Sequence, residues 1–159
     1  MSSEAVNEAA NEVENAPGQP RVELNRLGYL LKHAQQRLTE MTAAALEPYG
    51  VNGRELGVLV VLDQMGATSQ QDVARRLGID RTTMVALIDA LEAKSVVVRR
   101  PSAEDRRRNV VEFTESGHGL FRQALQASDE AERRFVSPLE DAAAELLREQ
   151  LRAVIEERD

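Results

Sequence analysis

The sequence of 159 residues contains no cysteine and only two histidines, His33 and His118. The lack of cysteine excludes disulfides, thiolate catalysis, cysteine-ligated zinc and thiol redox sensing. Two histidines and scattered carboxylates provide neither a histidine-rich metal site nor a Ser-His-Asp set, and the sequence has no glycine-rich phosphate loop. We therefore expect no enzyme, no metal and no cofactor.

Long apolar runs are also missing. No stretch of about 18 apolar residues occurs, so the sequence predicts no transmembrane helix and no membrane partner. Where a signal or transit peptide would need positive charge, the chain carries Glu4, Glu8, Glu12 and Glu14. These features predict a cytoplasmic protein. On a prior of about 150 residues per domain, the length predicts one domain with an appended piece.

Positive charge is scarce overall, because 20 basic residues stand against 27 acidic ones and the net charge is −7. This balance excludes nucleic-acid binding by bulk positive charge alone. It leaves open a local basic edge, since charges beyond about 8–10 Å are screened by salt. Residues 69–116 hold nine basic and eight acidic residues, a net charge of +1, and the remainder carries −8. The acidic charge is therefore concentrated outside residues 69–116, which are nearly neutral.

Capping residues and apolar spacing predict helices along most of the chain. Residues 1–20 are acidic and end in proline and glycine, which indicates a mobile tail or a weak helix. The apolar residues within 22–49 follow a helical period. Three further helices are predicted to begin at Asn52, Ser69 and Asp80, the first two with an acidic residue three positions later.

The pattern then changes from helical to extended. Residues 96–101 and 109–113 are rich in valine, and the polar segment SAEDRRR between them predicts a β-hairpin. Thr114 is the expected cap of a fifth helix, which is predicted to begin weakly because of Gly117 and Gly119. A sixth helix is predicted to begin at Ser137, because a proline follows in the first helical position.

Residues 73–87, VARRLGIDRTTMVAL, predict two short helices joined by a sharp turn. Gly78 suits the left-handed backbone that such a turn requires, and Ala74 is small where the helices cross. This pattern is typical of a helix-turn-helix, whose second helix enters the DNA major groove by its N-terminal end. An ordinary helical hairpin uses the same small residues, so this segment alone leaves both interpretations open.

The predicted hairpin is strongly basic. Residues 99–108 hold five arginines against Glu104 and Asp105, a net charge of +3. A hairpin directly after a helix-turn-helix is a wing, and arginine suits the negative potential of a narrow minor groove. We expect Asp105 to hold a neighbouring guanidinium in a fixed pose. For an isolated run of arginines, a solvated surface turn is the ordinary interpretation; the position behind a helix-turn-helix favours the wing.

These segments resemble the MarR family of winged-helix transcriptional regulators. The resemblance rests on the pattern D-R-R-x-x-x-V-x-F-T-x-x-G over residues 105–117, where the family usually has leucine in place of Phe113. The segment SQQDVARRLGIDRTTM at 69–84 is similar to the family's third helix and the start of its recognition helix. The resemblance covers about residues 22–157.

The resemblance implies a mainly α fold with a small β-hairpin wing. A winged helix-turn-helix DNA-binding lobe would occupy residues 52–116, and a helical dimerisation region would combine 22–50 with 117–159, leaving 1–20 as an acidic tail. It also implies a homodimer on double-stranded DNA with a pseudo-palindromic operator, in which recognition helices lie about 34 Å apart. Such a regulator, most often a repressor in bacteria, often binds a small-molecule effector.

The expected groove contacts begin with Arg81, Thr82 and Thr83 in the first turn of the fourth helix. Arg81 would bind a guanine edge or a phosphate, and the threonines would reach phosphates or bases. Local helix capping is the alternative role of the threonines. Val85 and Ala86 stand where many family members carry polar or basic residues, so we expect their base contacts to reduce to thymine methyl groups.

Arg107 matches the family's minor-groove wing arginine, and Asp105 would orient it. The neighbouring wing arginines are expected to contact phosphates or to be solvated, and the amino end of the third helix favours a phosphate because of its backbone N–H groups. The other expected DNA contacts are therefore Arg106, Arg108, Ser69 and Gln70.

Two further expectations concern other partners. Tyr29 and His33, at positions i and i+4 of the first helix, are candidates for binding a small aromatic or anionic effector, with an interface tyrosine and a solvated histidine as the alternative. The second candidate function is a winged-helix module that binds protein without specific DNA binding. The acidic net charge and the apolar Val85 and Ala86 favour that alternative, whereas the arginines of the wing oppose it.

Overall fold

The computed structural model describes residues 25–103 and 109–156, so the predicted tail at 1–20 and the wing tip lie outside the described residues. The chain divides into two compact units, one ending at His33 and the other beginning at Ala34. The elements in chain order are α1 (Leu27–Leu46), a 3₁₀ turn (Glu47–Tyr49), α2 (Gly53–Met65), α3 (Gln70–Leu77), α4 (Arg81–Ala93), β1 (Val97–Pro101), β2 (Asn109–Phe113), α5 (Glu115–Val136) and α6 (Asp141–Glu156). The fold is mainly helical with one β-hairpin, as predicted.

Helices α2 to α5 begin at the capping residues that the sequence predicts. The Asn52 side chain accepts two backbone N–H bonds at 3.0 Å, and Glu55 accepts the Asn52 N–H at 2.9 Å, which completes a capping box. Ser69, Asp80 and Thr114 cap α3, α4 and α5 by accepting the backbone N–H three residues later. Each cap satisfies an N–H group that has no partner inside its helix, and contributes about 1 kcal/mol.

The small sheet pairs β1 with β2 antiparallel, with Val97 opposite Phe113. The sequence did not reveal a further backbone contact at its edge. Thr68, in the loop before α3, exchanges two backbone hydrogen bonds with Val111, at 3.2 and 2.8 Å. The hairpin is therefore tied directly to the loop that leads into α3.

The hydrophobic core of the second unit lies among α2 to α5 and the hairpin. Its largest fully buried side chains are Leu46, Leu59, Leu62, Met84, Ile88, Leu91, Val58, Val73, Val96, Val97 and Val111. Burying one such leucine, isoleucine or methionine stabilises the fold by about 1.5–3 kcal/mol.

A charged residue is buried beside the core, because Glu55 is only 2% exposed. Lys94 Nζ donates to both of its carboxylate oxygens, at 2.6 and 2.8 Å, which joins the start of α2 to the end of α4.

The structure gives Gly117 a role that its low helix propensity does not indicate. A Cβ placed on Gly117 would lie 1.9 Å from the carbonyl oxygen of Val96. Glycine is therefore the residue that lets α5 pack directly against the beginning of β1. The Thr114 hydroxyl supports the same junction by donating to the Ser95 carbonyl oxygen at 2.6 Å.

The predicted start of the sixth helix at Ser137 is also wrong. Ser137 ends α5 and keeps helical backbone angles, φ −56° and ψ −22°, whereas a residue that caps a helix start is extended. Its hydroxyl donates back to the Arg134 carbonyl oxygen at 2.8 Å. α6 begins at Asp141, one residue after Glu140, whose carbonyl oxygen accepts the Ala144 N–H.

Candidate nucleic-acid interface

Helices α3 and α4 form a helix-turn-helix around Gly78. Gly78 has φ 64° and ψ 31°, the left-handed conformation that ends a helix at low cost only for glycine. The N–H of Ile79 then bonds back to the Ala74 carbonyl oxygen at 3.0 Å, and Asp80 caps the next helix. The turn between the two helices is therefore short and fixed at both ends.

Helix α4 has one buried and one outward face. Met84, Ile88 and Leu91 are buried in the core, as their spacing predicts. On the opposite side Arg81, Thr82 and Ala86 are exposed and Val85 is half-buried. Residues spaced three and four apart lie on one helix face, so the N-terminal half of α4 presents a continuous outward surface. The next polar residue along that face is Asp89.

Thr83 differs from its neighbours because its polar atoms are already used. Its hydroxyl donates to Asp80 Oδ2 at 2.6 Å, and its backbone N–H donates to Oδ1 at 3.0 Å. These bonds from Thr83 hold the pKa of the Asp80 carboxyl below its usual value. Helix capping, the alternative role foreseen for the threonines, is therefore confirmed for Thr83, whereas Thr82 lies exposed.

Three of the predicted contacts, Ser69, Gln70 and Arg81, line one groove. Its walls come from α3, the first turn of α4 and the first residue of β2, and its lining includes Ser69, Gln70, Asp72, Arg75, Arg81 and Asn109. The Ser69 hydroxyl is occupied as a cap, because it donates to Asp72 Oδ2 at 2.6 Å and accepts the Asp72 N–H. Gln70 of α3 and Arg81 of α4 add an amide and a guanidinium group to the lining.

Arg99, in the middle of β1, points toward α4. Its Nη2 lies 2.5 Å from Asp89 Oδ1, its Nη1 donates to Glu92 Oε2, and its backbone N–H donates to Glu92 Oε1 at 3.1 Å. Burial alone would lower the pKa of the guanidinium, but the hydrogen bonds to Asp89 and Glu92 outweigh it and raise that pKa. Arg99 therefore stays charged and bridges the recognition helix and the hairpin.

Two of the five arginines counted in the hairpin are thus paired with carboxylates of the protein. Arg99 binds two carboxylates of α4, and Arg100 pairs across the hairpin with Glu112 at 2.5 Å. The net charge of +3 for residues 99–108 overstates the positive charge that these two strand arginines offer to DNA. Asp105, Arg106, Arg107 and Arg108 lie outside the described residues.

Comparison with known proteins agrees with this geometry. Residues 49–108 match the model of the MarR family. The transcriptional repressor NicR of Pseudomonas putida is 31% identical over 97 residues, which cover 60% of this chain and 61% of NicR, less than two thirds of that relative. A structure of the repressor CouR bound to a 23-mer DNA duplex is 28% identical, with a TM-score of 0.78, and the match covers 86% of this chain and 100% of CouR. A second structure, CouR of Rhodococcus jostii RHA1 bound to p-coumaroyl-CoA, is 27% identical, with a TM-score of 0.75 and coverage of 88% and 99%.

The family model matches residues 49–108 and the solved regulators match most of the chain, so the chain resembles the MarR family. Its relatives are transcriptional regulators, and its fold is the winged helix of that family, with α4 as the recognition helix and β1–β2 as the wing strands. The similarity that the 69–84 and 105–117 segments indicated is therefore confirmed.

The terminal helices, α1 and α6, leave many apolar side chains exposed. They are Leu27, Leu30 and Leu31 on α1 and Leu146, Leu147, Leu151, Val154 and Ile155 on α6. Two of the most exposed are Val154 at 73% and Ile155 at 66%. Rows of exposed leucine, valine and isoleucine on one helix are typical of a surface that another protein covers.

The candidate effector residues form a local pair on α1. The rings of Tyr29 and His33 lie 4.1 Å apart at 44°, with Tyr29 half-buried and His33 exposed. The ring of the other histidine, His118, stacks on the ring of Phe113 with 4.4 Å between their centroids.

Across residues 25–103 and 109–156 no three acidic or histidine side chains converge as metal ligands. Among the helices within those ranges, none is long and apolar enough to cross a bilayer.

Sequence analysis missed the ion pairs that hold the lobe together. Arg99 was predicted only as part of a basic run, with no partner on α4. The signal was available in part, because Asp89 and Glu92 lie three apart on one helix and Arg99 follows seven residues after Glu92. The Glu55–Lys94 pair spans 39 residues, and no local pattern indicates it.

Proposed function

We propose that this chain is a homodimeric, sequence-specific DNA-binding repressor of transcription. The single observation that carries the proposal is the exposed first turn of α4, where Arg81 lines a groove shared with Gln70 of α3 and the neighbouring Thr82 is exposed. A recognition helix reads base edges with this N-terminal turn, while the preceding helix contacts the backbone. A regulator of this kind acts in the bacterial cytoplasm, where the DNA lies.

Each DNA contact has a specific role in this proposal. Arg81 binds a guanine edge bidentately, and Thr82 binds a phosphate or a base. Val85 and Ala86 contact thymine methyl groups, since they offer no hydrogen bond to a base. Gln70, at the amino end of α3, binds a phosphate.

The wing supplies the minor-groove contact. Arg107 enters the groove, where negative potential favours arginine, and Asp105 orients it. Arg106 and Arg108 bind the flanking phosphates. Because Arg99 and Arg100 are paired within the lobe, these three arginines carry most of the positive charge that the wing brings to DNA.

The homodimer forms through the terminal helices, residues 22–50 and 117–159. The exposed apolar side chains of α6 support this assignment, because burying them against a second copy removes apolar surface from water. Two copies present two recognition helices about one DNA turn apart, which requires a pseudo-palindromic operator.

Release from DNA by a small molecule completes the proposal. Support comes from CouR, whose structure with p-coumaroyl-CoA shows that one relative binds an aromatic anion. In this chain Tyr29 offers a hydroxyl and an aromatic face, and His33 offers a titratable ring. A thermal-shift screen of small aromatic acids, with and without operator DNA, tests this step. An effector raises the melting temperature of free protein and lowers the affinity for DNA.

The decisive experiment is selection of duplexes from a random library, followed by fluorescence anisotropy with the selected and an unrelated duplex at low and moderate salt. We expect the selected duplex to bind at least about a thousandfold more tightly than the unrelated one. Absence of binding to either duplex in both buffers rejects the DNA-binding proposal and favours the protein-binding module.

A further inference from the structure

Arg99 is placed to control the angle between the recognition helix and the wing. It lies in β1 opposite Val111, which is itself bonded to Thr68 in the loop before α3. From that fixed strand its guanidinium reaches Asp89 and Glu92, three residues apart on α4. The backbone N–H of the same residue binds Glu92 as well. Three bonds thus connect one residue of the hairpin to one face of the recognition helix.

The chemistry of this contact favours a fixed geometry over a loose surface pair. A guanidinium is planar and can bind two carboxylates with separate N–H groups, which a lysine ammonium does not reproduce. The Arg99 side chain is only 23% exposed, so salt screens its contacts less than those of a surface pair. An exposed single ion pair contributes little, whereas a partly buried network with a backbone bond restricts orientation.

The position of Arg99 also argues against a direct DNA contact. Both of its terminal nitrogens are used by α4 carboxylates, and its neighbour Arg100 points to the other side of the strand, toward Glu112. The two carboxylates beside the guanidinium also repel a phosphate, so the environment of Arg99 disfavours a direct contact with the DNA backbone. Arg99 therefore lies between the two DNA-contacting elements without belonging to either contact surface.

We propose that Arg99 is a positioning residue for DNA recognition, which fixes α4 relative to the wing hairpin through Asp89 and Glu92. The inference rests on the proposed DNA-binding function. A recognition helix and a wing must meet the major and the adjacent minor groove at the same time. A bridge between them fixes their relative angle in the free protein. Binding to DNA then loses less conformational entropy, and the affinity is higher.

A positioning role of Arg99 and simple electrostatics predict opposite changes in the affinity for the selected duplex. Replacing both carboxylates, in the double variant Asp89→Asn and Glu92→Gln, makes the lobe less negative and frees Arg99. Electrostatics alone then predicts tighter binding to any duplex. If the bridge positions the helix, affinity for the selected duplex falls about tenfold, while affinity for an unrelated duplex stays equal or rises.

The matched control is Glu112→Gln, which frees Arg100 in the same way but breaks a pair within the hairpin. We expect it to leave the ratio of selected to unrelated affinity within about twofold of wild type. Anisotropy with both duplexes gives the ratio, and circular dichroism shows that each variant is folded at the assay temperature. A variant that is merely less stable has less folded protein, which lowers the apparent affinity for both duplexes by the same factor. The ratio of the two affinities then stays unchanged.

Arg99→Lys provides a second, milder test if the double variant does not fold. Lysine keeps the charge but binds only one carboxylate at a time, so we expect the affinity ratio to fall about threefold to tenfold. An unchanged or increased ratio in a folded double variant, or an unchanged ratio in Arg99→Lys, overturns the inference. If the wild-type protein selects no duplex at all, the proposed function fails instead.

Discussion

The carbonyl oxygen of Val96 occupies the space that a side chain on Gly117 would need. A Cβ there would lie only 1.9 Å from that oxygen. The residue just before β1 therefore packs directly against the first turn of α5. The junction is backbone against backbone, so neither partner can move aside by changing a rotamer.

Gly117→Ala is expected to destabilise the protein by about 2–3 kcal/mol, because α5 must shift away from β1. Urea denaturation measures the difference. Gly119→Ala, two residues along the same helix, is the control, since nothing lies within 4 Å of its Cβ position. It is expected to stabilise the helix by up to about 1 kcal/mol. Equal stability of the two variants would show that the contact at Gly117 is relieved without cost.

Lys94→Met is expected to cost about 2 kcal/mol, because it leaves the Glu55 carboxylate buried without its cation. Adding Glu55→Gln to that variant is expected to recover part of the loss, since the uncompensated charge is removed. Urea denaturation of the wild type, both single variants and the double variant gives the coupling between the residues. Purely additive costs would mean that the two side chains act independently.

The pH dependence of α4 follows from its cap. The Thr83 bonds lower the pKa of Asp80 below 3.8, so the ionised cap stabilises the folded state above that pH, and this contribution disappears as pH falls through the lowered pKa. Asp80→Asn retains an acceptor for the Thr83 N–H but does not titrate. We expect its stability, measured between pH 5 and about pH 2, to fall less steeply than that of wild type. Parallel curves for the two proteins would contradict this role of Asp80.

Most of the fold could be predicted because its signals are local. Four helix starts are indicated by a capping residue that bonds to a residue three positions later, namely Asn52, Ser69, Asp80 and Thr114. Valine-rich segments indicate the hairpin. The contacts that the sequence did not reveal join residues that lie far apart along the chain. The role of Gly117 depends on Val96, which lies 21 residues earlier, and a glycine pattern contains no information about such a contact.

The site shows the same division. The outward positions of Arg81 and Thr82 followed from helical period alone. Thr83 has the same residue type as Thr82, yet only the structure distinguishes the one that caps α4 from the one that is exposed. Arg99 belongs by sequence to a basic run, but its partners lie on another element, and only tertiary structure assigns it to them.

Arg107→Ala is expected to weaken binding to the selected duplex at least about tenfold without lowering the melting temperature, because a wing arginine contacts the groove and not the core. Anisotropy and thermal denaturation measure the two effects. Arg76→Ala, a like-charged change on the exposed side of α3, serves as the control and should retain most of the affinity. Wild-type affinity of the Arg107 variant would remove the wing from the mechanism.

The double variant Val154→Glu and Ile155→Glu is expected to convert a dimer to monomers, because it places charges in the apolar surface of α6. Sedimentation velocity measures the mass. Arg152→Glu, on the other side of the same helix, changes the charge by the same amount and should leave the dimer intact. A wild-type chain that sediments as a monomer, or a double variant that remains dimeric, would reject α6 as the interface.

Hydroxyl-radical footprinting of the selected duplex, with the protein-to-DNA stoichiometry measured on the same complex, tests the central claim most directly. Two chains per duplex, with protection in two half-sites whose centres lie about 10 base pairs apart, is the predicted result. Protection at one site by one chain, or protection that does not depend on sequence, would contradict it.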